Sequence, residues 1–371
     1  VDNTCSSCVT PLTAATAAAS LTASVGVTVS GNLSSGSYIN IKGINTSTTN
    51  AAVAFGASTM TITNAASFPA AGVAAISVTG LKNSSTTSTV GSDGITSTGA
   101  ITVQSSGGDI LFQSNGDISQ TGSITLAGNV SGHAQTLTFD TTSGNLNSTI
   151  TRGDLILTGG VSASTSEINF IEKSNGAALT IGATTMPGYI LVDNACSACG
   201  TPLTPATAAA SLTTGVGVTV SGALSAANYI SIAGINNSAA NAAVALGASA
   251  MTVTSSASFP TAGVNAIAVI GYKNTANIGN PGISSTGALA VQSAGGDVLF
   301  QSNGDITQTG GLTLAANTTT HAQNVKYDTT SGNGSSAITI GAITSQGASI
   351  SAPVNVTVTG NSLVTLYGSS T

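Results

Sequence analysis

The sequence predicts an all-β fold, a right-handed parallel β-helix built from two long tandem repeats. The first observation behind this is the repeat itself. Val1-Asp2-Asn3-Thr4-Cys5-Ser6-Ser7-Cys8 returns as Val192-Asp193-Asn194-Ala195-Cys196-Ser197-Ala198-Cys199, an offset of 191, and the stretch from Gly107 to Asp117 returns as Gly295 to Asp305 at an offset of 188. A period this long exceeds one supersecondary unit, which runs roughly 20 to 50 residues, so each copy contains several smaller units. The second observation is period-two alternation of apolar and polar residues in short runs punctuated by Gly, Asn and Ser, as in Tyr38-Ile39-Asn40-Ile41, Met60-Thr61-Ile62-Thr63 and Ile76-Ser77-Val78. The third is spacing: Ile101, Ile110, Ile118 and Ile124 open successive strands 9, 8 and 6 residues apart, and Leu289, Val298, Ile306 and Leu312 keep the same three intervals.

Short strands with Gly-Asp or Asn-Gly corners and no long connections suit coils of about 20 residues, each lying on the one before at about 4.8 Å. Copy 1 is assigned to residues 1–191 and copy 2, continuous with it, to 192–371. The competing architecture is a string of antiparallel β-sandwich domains, because Asn115-Gly116, Asn175-Gly176, Asn303-Gly304 and Asn333-Gly334 are all legitimate hairpin turns. One segment breaks the strand pattern: Thr10-Pro11 to Leu21, mirrored at Thr201-Pro202 to Leu212, is rich in Ala after Pro and reads as a short helix.

Composition narrows the class of function. Of 371 residues only 5% are charged, there is no Trp, and 45 are Gly, whereas a typical soluble domain carries about 25% charged residues. Hydroxyls and amides must therefore form the polar surface. An apolar content of 41% and a mean hydropathy of +0.36 are too high for a disordered chain. The six basic residues, Lys42, Lys82, Arg152, Lys173, Lys273 and Lys326, stand singly among twelve acidic ones, so nothing clusters to neutralise a phosphate backbone and nucleic acid is not an expected partner. No run of eighteen apolar residues escapes interruption by Gly, Ser or Thr, which argues against membrane insertion. The start of the chain carries no basic and apolar leader and falls at a repeat boundary, as expected of a mature or excised piece of something longer.

The segment from Ile101-Thr102-Val103-Gln104-Ser105 through Gly116-Asp117-Ile118-Ser119-Gln120-Thr121-Gly122-Ser123-Ile124-Thr125-Leu126 resembles the degenerate repeats of filamentous haemagglutinin-like exoproteins and related large bacterial adhesins. That resemblance implies a secreted, very long right-handed β-helix displayed on or released from a bacterial surface. The paired cysteines depart from the family's pattern.

Cys5-x-x-Cys8 and Cys196-x-x-Cys199 are the sharpest local signals. In a β-helix the two pairs would lie on the order of 40 Å apart, against the roughly 7 Å that a disulfide spans, so cross-pairing and a four-cysteine zinc site within one chain are disfavoured. The leading expectation is a local disulfide in each pair, in keeping with an oxidising extracellular setting. Redox catalysis would want a nearby cation or helix start, and links between neighbouring molecules are the third option. His133 and His321 occupy one repeat position, followed by Asp140-Thr141-Thr142-Ser143-Gly144-Asn145 and Asp328-Thr329-Thr330-Ser331-Gly332-Asn333. A nucleophile triad is conceivable from such residues, but a side-chain-bonded turn accounts for them better. Asp109 with Asp117, and Asp297 with Asp305, could be paired carboxylates for glycoside hydrolysis, yet they follow Gly where Asp serves turns, and no aromatic platform accompanies them. Lys42 becomes Ala233 and Arg152 becomes Ile340 in copy 2, which removes a repeated base for a lyase. Thr-x-Thr runs such as Thr59-Met60-Thr61 recur too irregularly for an ice face. Sequons at Asn45, Asn129 and Asn147 are potential glycan acceptors.

The function expected from all this is structural and non-enzymatic: an extracellular segment of a β-helical adhesin stalk, or the protomer of a bacterial surface or matrix filament. No catalytic residue, metal or cofactor is expected. The expected partners are copies of the chain, end to end and side by side, with surface polysaccharide or a host surface as further candidates. The alternative is a carbohydrate-binding or carbohydrate-cleaving β-helix of the phage depolymerase type.

Overall fold

A computed structural model of the chain describes residues 1–4, 21–63, 74–83, 92–104, 107–129, 133–144, 148–159, 167–197, 212–254, 265–274, 278–292, 294–318, 320–332, 334–347 and 353–367. They form two compact units, Val1–Ala177 and Ala178–Thr371. Each is a parallel β-helix of three-strand coils in which every strand pairs with the third strand after it. All the described pairings are parallel, so the sandwich alternative, which needs antiparallel ladders, does not hold. No helix occurs among the described residues, and residues 10–20 and 201–211, where the sequence suggests one, lie outside them.

Three faces wrap each unit. In the first unit, face I runs from Val27–Thr28 through Val53–Gly56, Asp93–Ser97 and Asp117–Gln120 to Ile150–Arg152. Face II runs from Leu33–Ser35 through Met60–Ile62, Ile101–Val103 and Ile124–Leu126 to Leu155–Leu157. Face III has the longest strands: Ile39–Asn45, Ala74–Lys82, Asp109–Ser114, Gln135–Thr141 and Ile168–Ser174. The second unit repeats this, with face III strands at Ile190–Asp193, Ile230–Asn236, Asn265–Lys273, Asp297–Ser302, Gln323–Asp328 and Val354–Thr359.

The spacing read from sequence is one complete coil. Ile101 pairs with Ile124 after the chain has passed through face III at Ile110 and face I at Ile118. Coil length varies: Val53 pairs with Ile95, a much longer way along the chain, because the intervening segments are longer there. Face II shows the local logic in its shortest strands. Met60-Thr61-Ile62, Ile101-Thr102-Val103 and Ile124-Thr125-Leu126 each bury the outer two side chains and leave Thr half-buried. Register then aligns Thr61, Thr102 and Thr125 at constant coil spacing, contrary to the irregularity expected, but as a single column one side chain wide. β-Branched residues favour such a pleated, half-buried position.

Inside, like stacks on like. Ile39, Ile76, Ile110, Leu137 and Phe170 form one column on face III, and Phe112 stacks on Phe139 in the next at 5.3 Å between ring centroids. Phe300 and Tyr327 repeat the stack at 5.2 Å. Each such side chain contributes about 1.5–3 kcal/mol by leaving water. Gly56 and Gly247 turn the chain with φ of 53° and 52°, a left-handed conformation that glycine adopts without penalty. Their carbonyls accept N–H bonds from Thr98 and Gly99, and from Thr286 and Gly287, on the next coil.

Candidate functional site: the buried polar corner

The densest buried chemistry lies where face III turns toward face I. Asn3 and Asn194 start it. Each places its side-chain Nδ2 on two carbonyls, those of Gly26 and Ile44 or of Gly217 and Ile235. Each accepts in return the backbone N–H of Ile44 (2.7 Å) or Ile235 (2.6 Å) at Oδ1. Asn45 and Asn236 follow. Asn45 Nδ2 donates to the carbonyls of Ser24 (2.8 Å), Asn50 (3.1 Å) and Ala51 (2.8 Å), and Asn236 does the same with Gly215, Asn241 and Ala242.

Next in register stands a lysine. Lys82 pairs with Asn45 and Lys273 with Asn236. Both lysines are fully buried. Lys82 Nζ donates to the Asn50 carbonyl and Lys273 Nζ to that of Asn241. Burial pushes both ammonium groups down to about 8, against which only Lys82 has an opposing charge, Asp93. Asn115 and Asn303 close the corner by bonding both backbone groups of the lysine: Oδ1 accepts Lys82 N–H at 2.7 Å and Nδ2 donates to Lys82 O at 2.9 Å, with identical distances at Lys273. These amides are therefore spent on backbone, and Asn115-Gly116 and Asn303-Gly304 are not hairpin turns.

The acidic residues also hold coil to coil. Asp109 Oδ1 accepts the Thr136 N–H and Asp117 Oδ1 the Thr149 N–H, each on the following coil. Asp297 and Asp305 repeat this with Asn324 and Ala337. Burial pushes the Asp109 and Asp117 carboxyls up, and these backbone bonds oppose it. His133 lies 3.6 Å from Asp109, and His321 Nε2 lies 3.3 Å from Asp297 Oδ1. The histidines are thus brought to the strand-start aspartates and not to the Asp-Thr-Thr-Ser turns. There, Asp140 Oδ1 accepts from both N–H and Oγ1 of Thr142, Asp328 from those of Thr330, and Ser143 and Ser331 donate to the carbonyls of Ser114 and Ser302. The expected turn is what the residues build.

Two buried constellations were not anticipated from the sequence. Arg152 Nε lies 3.3 Å from Glu172 Oε2, with the guanidinium over the Phe170 ring at 4.7 Å. Glu172 is fully buried, its Oε1 has no hydrogen-bond partner, and burial pushes its carboxyl up to about 7 although Arg152 pulls the other way. In the second unit Tyr327 Oη donates to Gln308 Oε1 at 2.9 Å.

Cys196 is buried, sits at a φ of 54° and is disulfide-bonded. Cys5, Cys8 and Cys199 lie outside the described residues. Asn45 and Asn129 are fully buried with their amides engaged, so neither presents a glycan acceptor, and Asn147 lies outside the described residues. No group of three or more metal-ligating side chains occurs among the described residues, and no helix there is long and apolar enough to cross a membrane. Compared with known proteins, the chain matches no family model, no curated protein and no solved structure.

Proposed function

We propose that this chain is a non-enzymatic, extracellular structural element: a segment of a β-helical adhesin stalk, or a filament protomer, of a bacterial surface or matrix. The observation that carries the reading is the use made of the buried and half-buried polar groups. Asn3, Asn45, Asn115, Asp109 and Asp117, with their counterparts in copy 2, bond backbone on their own and adjacent coils, so these side chains fix register and act on no external substrate. Local disulfides at Cys5–Cys8 and Cys196–Cys199 would pin each copy in an oxidising setting.

End-to-end association of copies is part of the proposal. Val364 and Leu366 pair in register with the buried Ile338 and Ile340, yet are 40% and 64% exposed, and Val356, beside buried Val325, is 48% exposed. A further coil laid on this edge, of the same polypeptide or of another copy, would bury them and pair its strands, as exposed strand edges invite. Face II adds a lateral surface whose strands carry no charged residue, from Leu33–Ser35 to Leu155–Leu157. Purified protein should therefore lengthen into filaments with rising concentration, seen by electron microscopy and light scattering, and leave surface polysaccharides at full length. Particles that stay single at every concentration, or a shortened polysaccharide, would overturn this reading.

A further inference from the structure

Lysine and asparagine can condense to an amide when both are buried side by side, and copy 1 assembles that pair, with the charge of Asp93 acting on it from beyond ion-pair distance. Asn45 and Lys82 are register partners on adjacent strands and both are fully buried. One carbonyl oxygen, that of Asn50, accepts from Asn45 Nδ2 and from Lys82 Nζ, which places the amine beside the amide. The amide cannot be turned round, because its nitrogen faces three carbonyls and only an NH2 group satisfies them. Its Oδ1 is consequently buried without any hydrogen-bond partner. Burial also favours the neutral amine that nucleophilic attack requires. Asp93 is the acidic group whose charge reaches Lys82.

We propose that Lys82 and Asn45 form an intrachain isopeptide bond, Nζ to Cγ, with Asp93 as the proton-transfer group. The Asp93 carboxylate takes one proton from the Lys82 ammonium, and the freed lone pair attacks Cγ. The Nζ–Cγ bond forms, the Cγ–Nδ2 bond breaks, and one of the two remaining Nζ protons departs with Nδ2 as ammonia. The proton held by Asp93 follows, leaving ammonium and restoring the carboxylate, so no oxidant or co-reactant is needed. Copy 2 supplies an internal control. Asn236 and Lys273 share the Asn241 carbonyl in the same way, but Pro281 stands where copy 1 has Asp93, and no carboxylate acts on Lys273. That pair stays unlinked. The inference is independent of the filament reading, since the bond would form in single molecules.

Intact-mass measurement of the reduced protein, followed by tryptic mapping, tests it. The expected result is a chain lighter by one ammonia, no cleavage after Lys82, and a branched peptide joining the segments that carry Asn45 and Lys82, with Lys273 cleaved normally. Asp93→Asn should restore the full mass while circular dichroism shows the β-fold retained, and Pro281→Asp should bring a second ammonia loss at Asn236–Lys273. A wild-type chain of full mass would overturn the proposal. So would an ammonia deficit that hydroxylamine abolishes, which belongs to a cyclised Asn-Gly, and a branched peptide that persists in Asp93→Asn would remove Asp93 from the reaction.

Discussion

Where copy 1 places Phe139, Arg152 and Glu172, copy 2 places Tyr327, Ile340 and Val358 at the corresponding register positions. The strand pairings around them correspond, although Glu172 is fully buried while Val358, on the last face III strand, is half-buried. Copy 2 fills these positions with apolar side chains and one hydroxyl, and that hydroxyl satisfies the Gln308 Oε1. Copy 1 fills them with an ion pair, and its Gln120 Oε1 is left without a hydrogen-bond partner. The difference teaches that backbone register, held by the repeated asparagines and aspartates, tolerates either solution. The interior filling is a local matter of charge and packing.

The comparison breaks most visibly at the ion pair. Arg152→Ile alone leaves Glu172 buried without its partner and should cost about 3–5 kcal/mol in denaturant unfolding. The double substitution Arg152→Ile with Glu172→Val installs the side chains that the second copy uses and should recover most of that loss. A double variant no more stable than the single one would mean that copy 1 depends on the charges themselves. At the tyrosine, Tyr327→Phe strands the Gln308 Oε1 and should cost about 1–3 kcal/mol, while Phe139→Tyr should gain about 1 kcal/mol by supplying Gln120 with the same bond. Unchanged midpoints for both would show that the hydroxyl is idle.

Acidity sharpens the contrast. The Glu172 carboxyl titrates at about 7 when folded, against an ordinary 4.5, so between those values the folded chain holds a proton that the unfolded chain has released. Its contribution to stability is therefore full below about 4.5 and falls as pH rises to 7. Glu172→Gln should flatten that slope. Lys273 has the opposite sign: folded at about 8 against 10.5, it binds fewer protons in the folded state, and stability from this group rises as pH climbs through that window. Lys273→Met should remove the rise. The smallest effect belongs to the pair of half-exposed Lys173 with Asp140 at 3.2 Å, where Lys173→Ala should cost about 1 kcal/mol and less in high salt.

Much of the fold was legible because the 9, 8 and 6 intervals sum to a coil and recur in both copies, which only a fixed geometry maintains. The Asp-Thr-Thr-Ser turns were legible too, because an aspartate two positions before a threonine closes its own loop. The polar corner was not. Lys82 reads as one more scattered surface charge until register places it beside Asn45, and the long stretch of chain between Val53 and its partner Ile95 hides that register from any fixed-period count. Arg152 and Glu172 lie 20 residues apart on different faces, so nothing local marks them as partners. The signal that could have found the corner is the exact return of Gly80-x-Lys82-Asn83 as Gly271-x-Lys273-Asn274, a lysine kept in both copies of a chain that uses so few.

Everything rests on successive coils lying in parallel register, and engineered disulfides test it most directly. Thr61→Cys with Thr102→Cys, and separately Thr102→Cys with Thr125→Cys, place cysteines at register partners, within the roughly 4.4–6.8 Å between Cα atoms that a disulfide spans. Under mild oxidation both pairs should close rapidly, and Thr61→Cys with Thr125→Cys, two coils apart, should stay open. Closure of the distant pair, or failure of both adjacent ones, would contradict the fold on which the functional reading stands.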